Sequence, residues 1–321
     1  MPKQRLDALL VERSLAESRQ QAQRLIQAGA VRINGLVVDK VGQAIDLSAT
    51  IAVAEKPRYV SRGGEKLAKA LQTFEIPVID RICLDGGIST GGFTDCLLQA
   101  GAKLIYGIDV GYGQVDWKLR TDDRLVLRER VNLRYLTPAE LYGSRFNPGM
   151  DSGLDANPGL EDDREVQDQD PSPVVLYPDL GVVDVSFISL TKVLPALWDL
   201  LIPPRELIAL VKPQFEVGRD RVGKKGVVRD SQDHANAIVS ILEKAGSVGW
   251  QMQGLTWSPL TGPAGNIEYL AWLKMPKQEG FSQESPLGDG TTELSPPNPL
   301  AWERSQILTI AQEAKWALNP G

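Results

Sequence analysis

From about residue 80 onward the chain repeats one pattern: a short apolar run, a polar or glycine-rich break, then a stretch whose apolar side chains recur at helical spacing. No other feature constrains the fold as tightly. The runs fall near 81–85, 104–109, 124–128, 180–184, 206–211, 251–257 and 266–273, and the helical stretches near 91–100, 190–201 and 231–245, after an earlier one at 64–74. Apolar runs bounded by helices read as strands buried on both faces, joined by crossovers that carry the chain back to start the next strand in parallel. The expected fold class is therefore α/β, a doubly wound, mostly parallel sheet of seven strands. Ligands of such sheets bind outside the carboxyl ends of the strands.

The first 55 residues follow a different rule. Leu6, Leu9, Leu10 and then Ala22, Leu25, Ile26 have helical spacing, with Gly29 as a stop signal. Val31-Arg32-Ile33 and Val37-Val38 flank Asn34-Gly35, a strong hairpin signal. The expected segment is a small α+β module of two helices and then short strands. Two stretches break the pattern elsewhere: 147–173, rich in Asp, Gly, Pro and Gln, and 276–299, rich in Pro, Gly, Ser and Glu. Both compositions predict loose order. Residues 301–318 regain helical spacing and are expected to dock back on the sheet domain.

The formal net charge of −6 argues against a nucleic-acid partner until its distribution is considered. Residues 151–170 hold eight acidic side chains and one arginine, a local net of −7; the rest of the chain is at +1, and residues 1–60 at +3. Local sign governs contact with phosphates. No apolar run is long enough to span a bilayer, and the N-terminus leads into a charged amphipathic stretch, so a cytoplasmic protein is expected. Cys83 and Cys96 sit in apolar runs and read as small buried hydrophobes, and the single histidine, His234, as a solvated residue near a helix start. No ligand set for a metal is expected.

Two constellations carry chemistry. Cys83–Phe93, with Asp85-Gly86-Gly87 and Ser89-Thr90-Gly91-Gly92, is a strand end, a glycine turn and a helix start. Glycine there lets the backbone approach a ligand that a Cβ would exclude. Asp109, about twenty residues on at the next strand end, can accept both hydroxyls of a ribose. These suit an adenosyl cofactor, and the loop alone does not separate NAD from S-adenosylmethionine. The second set is Lys66, Asp184, Lys212 and Glu268, polar residues where apolar strands end. Deprotonating a weakly acidic hydroxyl needs a base, and a lysine serves only when a second ammonium and desolvation favour its neutral form. Lys212 is the candidate base, with Lys66, Asp184 and Glu268 orienting it.

With these residues in view the chain resembles the TlyA family of ribosomal RNA 2′-O-methyltransferases, also called haemolysin A. The resemblance is carried by Arg58–Leu67, Ser89–Asp95, Asp109–Gln114, Asp184–Leu190, Leu210–Glu216 and Gly262–Glu268, and in the first module by Arg5-Leu6-Asp7, Ser18-Arg19 and Val31–Gly35, which are similar to the S4 RNA-binding domain. It implies a Rossmann-like class I methyltransferase of FtsJ-like type and a Lys-Asp-Lys-Glu tetrad falling on the four residues above. It also implies S-adenosylmethionine contacts at Asp85, Gly87, Ser89, Gly91, Gly92, Phe93, Asp109 and Asn132, and ribosomal RNA in one or both subunits as substrate, methylated on cytidine ribose. The implied division is an S4-like module at 1–55, a linker at 56–61, a methyltransferase domain at 62–275 with the acidic insertion at 147–173, a polar linker at 276–299 and a docking helix at 300–321. The chain departs from the family at those two polar stretches and at Gly86, where alanine is common.

RNA-facing candidates are Arg5, Arg19 and Arg24 in the first module, Arg62 beside the tetrad lysine, and Lys224 and Lys225 in the glycine-bounded loop Arg219–Gly226. Phe187 reads either as a stacking residue or as core. Two rival functions differ in kind: an RNA-binding ribosome assembly factor with a silent methyltransferase fold, and a haemolysin. The filled tetrad opposes the first, and the lack of an apolar or amphipathic membrane-inserting segment opposes the second.

Overall fold

The computed structural model describes residues 3–27, 29–53, 57–143, 176–276 and 302–318. The expected insertion at 147–173 and, apart from Pro276, the linker at 276–299 lie outside the described residues. The chain divides into two compact units, Met1–Arg58 and Tyr59–Gly321.

The first unit runs β1 (Lys3–Arg5), α1 (Leu6–Glu12), α2 (Arg19–Gln27), β2 (Val31–Ile33), β3 (Leu36–Val37), β4 (Ala44–Asp46) and β5 (Ile51–Val53). A strand thus precedes the two expected helices, and it pairs antiparallel with β4. β2 and β3 form the expected hairpin, with Asn34 and Gly35 both in the left-handed region (φ +48° and +85°), which is why Asn-Gly stands there. Leu6, Leu9, Leu10, Ala22, Ile26, Val31 and Ile45 make the core.

The second unit contains α3 (Gly63–Thr73), β6 (Ile82–Gly86), α4 (Gly92–Gln99), β7 (Leu104–Ile108), α5 (Trp117–Arg120), β8 (Leu125–Arg128), α6 (Pro138–Tyr142), β9 (Leu180–Val183), α7 (Leu194–Leu200), β10 (Glu206–Val211), α8 (Pro213–Glu216), α9 (Ser231–Val248), β11 (Gln251–Trp257), β12 (Tyr269–Lys274) and α10 (Arg304–Leu318). The sheet order is β11-β12-β10-β9-β6-β7-β8. β10, β9, β6, β7 and β8 are parallel neighbours, and β12 runs antiparallel between β10 and β11. This is the expected seven-stranded, mostly parallel sheet. The chain winds outward from β6 to β8, then restarts at β9 on the other side of β6, so the switch point lies between β6 and β9.

Side chains alternate between the two faces of the sheet. Leu84, Ile108, Leu207, Ala209 and Val211 pack with α6, α7, α9 and α10, while Cys83, Ile105, Ile208 and Leu210 pack with α3 and α4. Both cysteines are buried, and burial pushes the Cys83 thiol up to about 12. Helix α9 opens on Asp230, whose carboxylate accepts the Gln232 N–H, and closes on Gly249 at φ +119°. Helix α6 opens on a capping box, Thr137 with Glu140, and has Pro138 in its first turn. Its last residue, Tyr142, lies edge-on to Tyr177 at 5.3 Å, so the described chain leaves at 143 and returns at 176 beside itself. The return enters the amino end of β9, away from the crevice.

His234 corrects the sequence reading. It is buried, its Nε2 lying 2.9 Å from the Val228 carbonyl and its Nδ1 2.7 Å from the Tyr269 hydroxyl. It falls on the inward face of α9, with Ala235 and Ile238.

Candidate active site

The carboxyl ends of β6, β7, β9 and β10 bring the expected residues to one crevice. β6 ends on Asp85-Gly86 and turns at Gly87 with φ +84°; a Cβ there would lie 2.6 Å from the Asp184 carbonyl oxygen. At Gly92 a Cβ would lie 2.2 Å from Ser61 Oγ. The space those glycines leave is filled by protein, so they let the turn pack against β9 and the approach to α3. The sequence reading gave that space to a ligand.

Two cavities meet at this turn and share Gly87, Ser89 and Asp184. The larger, about 490 Å³, is walled by Ile108, Val131, Leu133 and Val193 and includes Asp109, Asn132, Ser186 and Phe187. Asp109 accepts the Ser89 N–H at 2.8 Å and the Gly111 N–H at 2.6 Å, one on each oxygen. A carboxylate has further lone pairs on both oxygens, which remain for hydroxyls. Among the described residues no lysine or arginine lines this cavity, and two carboxylates do. A third, Asp85, lies fully buried below: Oδ2 accepts the Thr94 hydroxyl at 2.7 Å, and Oδ1 has no hydrogen-bond partner. Burial, with Asp184 and Asp109 nearby, pushes the Asp85 carboxyl up to about 7. Such a lining suits a cation with an apolar ring and ribose hydroxyls. S-adenosylmethionine, a sulfonium, fits it.

The smaller cavity, about 400 Å³, takes Ser61, Arg62, Lys66, Gly92, Phe93 and Pro263 as further walls. Lys66, from α3, is buried and contacts Glu268 Oε2 at 2.5 Å. Lys212, at the end of β10, contacts Asp184 Oδ1 at 2.6 Å and donates a hydrogen bond to Ser186 Oγ at 2.7 Å. The four expected residues thus form two ion pairs. Lys66 and Asp184 line the smaller cavity, while Glu268 and Lys212 reach it through those partners. Of the expected cofactor residues, Gly87, Ser89, Asp109 and Asn132 line the larger cavity and Gly92 and Phe93 the smaller; Asp85 and Gly91 line neither.

Sequence reasoning missed Ser186 as a partner of Lys212, and it missed Glu216. Glu216 accepts the Ser189 hydroxyl at 2.6 Å and the Leu190 N–H at 2.8 Å, tying α8 to the loop after β9. Burial raises its carboxyl above the ordinary range. On that loop Phe187 is 92% exposed, holds φ +64° and leans on Phe215 at 5.3 Å. Left-handed backbone at a bulky residue costs on the order of 1–3 kcal/mol and persists where the surroundings enforce it. Phe187 is therefore not core.

The RNA-facing candidates occupy separate places. Asp7 is buried in the first unit and binds Arg5 at 3.0 Å, Arg19 at 3.3 Å and Gln23 at 3.2 Å. Arg5 holds the Asp7 carboxyl well below the usual carboxylate range, Gln23 and Arg19 adding to it against the cost of burial. Arg5 and Arg19 are thus anchored yet keep over half of each side chain exposed, and Arg24 is exposed on α2. Arg62 is exposed at the smaller cavity. Lys224 and Lys225 are exposed in their loop.

Comparison with known proteins agrees with this geometry. The FtsJ-like methyltransferase family matches residues 59–275, and the S4 domain matches residues 4–51. A Bacillus subtilis (strain 168) protein named as an rRNA methyltransferase, YqxC, is 47% identical over 88% of this chain and 90% of its own. The 16S/23S rRNA (cytidine-2′-O)-methyltransferase TlyA of Mycobacterium tuberculosis (strain ATCC 25618 / H37Rv) is 44% identical over 87% of this chain and 92% of its own. A solved structure from Streptococcus thermophilus, named as a hemolysin, is 38% identical and superposes with a TM-score of 0.63 over 100% of this chain and 98% of that one.

Proposed function

The chain belongs to the FtsJ-like methyltransferase family, and from that premise we propose that it methylates the 2′-hydroxyl of cytidines in ribosomal RNA, with S-adenosylmethionine as donor and Lys212 as base. One observation carries the reading. A carboxylate-lined, apolar-walled cavity shares Asp184 with a second cavity, and two lysine–carboxylate pairs meet there.

S-adenosylmethionine supplies a methyl group activated by the sulfonium charge. Gly87, Ser89, Asp109 and Asn132 would hold its nucleoside portion, with the ribose hydroxyls donating to Asp109. The remaining task belongs to the chain: alignment of the ribose oxygen and removal of its proton. Asp184 and Ser186 orient the Lys212 amine, which in its neutral form takes the 2′-hydroxyl proton as the oxygen attacks. The Lys66–Glu268 pair holds a second positive charge near the developing alkoxide. Phe187 offers an exposed ring on which the target base stacks. Arg5, Arg19 and Arg24 in the S4 unit, with Arg62, meet phosphates and set position without reading sequence.

The test is ribose-methylation mapping of ribosomal RNA from cells with and without the gene. The expected result is loss of one or two 2′-O-methyl marks, restored by wild type and not by Lys212→Ala. Unchanged marks in the gene's absence would overturn the activity. Restoration by Lys212→Ala would overturn the base assignment alone. Among the described residues no helix is long and apolar enough to cross a membrane.

A further inference from the structure

The loop between β11 and β12 separates two cavities. Pro263 lines the one holding Lys66 and Asp184; the next two residues, Ala264 and Gly265, line another of about 460 Å³. Three cations face this third cavity: Lys225, Arg229 and, from α10, Lys315. Among the described residues no carboxylate lines it and none ion-pairs with any of the three. His234 forms part of its wall. Since the Val228 carbonyl can only accept, Nε2 carries the proton and Nδ1 accepts from Tyr269. Burial lowers the imidazole pKa; the Val228 carbonyl and the Asp233 and Asp230 carboxylates oppose the shift, and Lys315 adds to it. The ring is neutral and fully engaged, so the charged side chains that line the cavity are the three cations.

We infer that this cavity binds a phosphodiester of the RNA strand that carries the target ribose. The inference rests on the RNA-methylating reading above. A ribose presented to Lys212 brings a phosphate on each side, and the large cavity offers neither of them a lysine or arginine among the described residues. The cationic cavity is lined by the next two residues of the same loop. Lys315 lies beyond residues 59–275, so the subsite is completed by a helix outside the segment that matches the methyltransferase family.

The experiment uses the full chain and a labelled single-stranded oligocytidylate RNA, with affinity measured across a range of salt. Each single-strand phosphate contact contributes about 0.7 to the slope of log K against log salt. Arg229→Ala/Lys315→Ala is expected to lower that slope by about 0.7 or more, with S-adenosylmethionine affinity by calorimetry unchanged. Both side chains are exposed, and an unchanged tryptophan-fluorescence melt shows that the fold is intact. A wild-type slope in the double variant overturns the inference, including the case where only binding of inorganic phosphate is lost. Failure of the methylation reading would show in the ribose map, whereas failure of this subsite shows in the salt slope.

Discussion

Substituting Glu268→Ala leaves the Lys66 ammonium buried without its partner. The two charged atoms are 2.5 Å apart, and the side chains are 11% and 1% exposed, so water replaces little of what is lost. Removing one member of such a pair costs about 3–5 kcal/mol, whereas replacing both with apolar residues of similar size is often neutral or better. For a domain of this size each kcal/mol moves Tm by about 2–4 °C, so the single substitution lowers it by roughly 6–20 °C. All seven tryptophans lie beyond residue 58, so a fluorescence melt follows the second unit alone. Glu268→Ala and Lys66→Met are each expected to melt early. Lys66→Met/Glu268→Leu is expected to return to within about 1 kcal/mol of wild type, with methylation absent in all three. A double variant as unstable as the sum of the singles, or a Glu268→Ala melt that overlays wild type, refutes the reasoning.

Asp109→Ala removes the acceptor for the ribose hydroxyls and for the Ser89 and Gly111 N–H groups, and calorimetry should show S-adenosylmethionine binding weakened by about 10- to 100-fold. Asp85 titrates near 7 in the fold against about 3.9 in the unfolded chain, so the native state holds the extra proton. Its contribution to stability is fully present below about pH 4 and is lost as pH rises through about 7. Asp85→Asn should therefore flatten the fall in unfolding free energy between pH 5 and 8, and an equal fall in both proteins contradicts the burial argument. Deleting residues 151–170 removes a net charge of −7 and should tighten RNA binding at low salt more than at high salt; equal affinities at low salt would show that the tract's field does not reach the RNA.

Much of the fold was legible because buried parallel strands advertise themselves. Leu207–Val211 is apolar without interruption, and it is buried throughout. Boundaries slipped where polar side chains do structural work. Strand β12 begins at Tyr269, three residues later than the pattern suggests, because the Asn266 side chain is occupied with Val228 N–H and the Gly226 carbonyl, holding the preceding residues in a loop. The 190–201 helix divides into a 3-10 turn at Leu190–Lys192 and α7, with Leu190 N–H taken by Glu216. The candidate residues were legible one by one, Asp184 and Lys212 as polar groups at strand ends, Lys66 in α3 and Glu268 just before β12 as polar groups in apolar settings. Their pairing was not, since Lys66 and Glu268 are 202 residues apart in sequence and meet only through the sheet. His234 misled for a similar reason: its partners, a carbonyl and a tyrosine hydroxyl, leave no mark in composition.

The contact between Tyr142 and Tyr177 has a practical consequence. Because the chain departs and re-enters at adjacent rings, whatever lies between can change length without moving either foothold. Closing a loop costs only about 0.6 kcal/mol more for each doubling of its length. The seam opens at the amino end of β9, with the Tyr106 hydroxyl fastened to the Leu176 carbonyl beside it, on the opposite end of the sheet from the crevice. It is a natural port: a place where evolution can add or trim a segment, and where a fluorophore-bearing peptide or affinity tag can be spliced, while the catalytic register stays as it was.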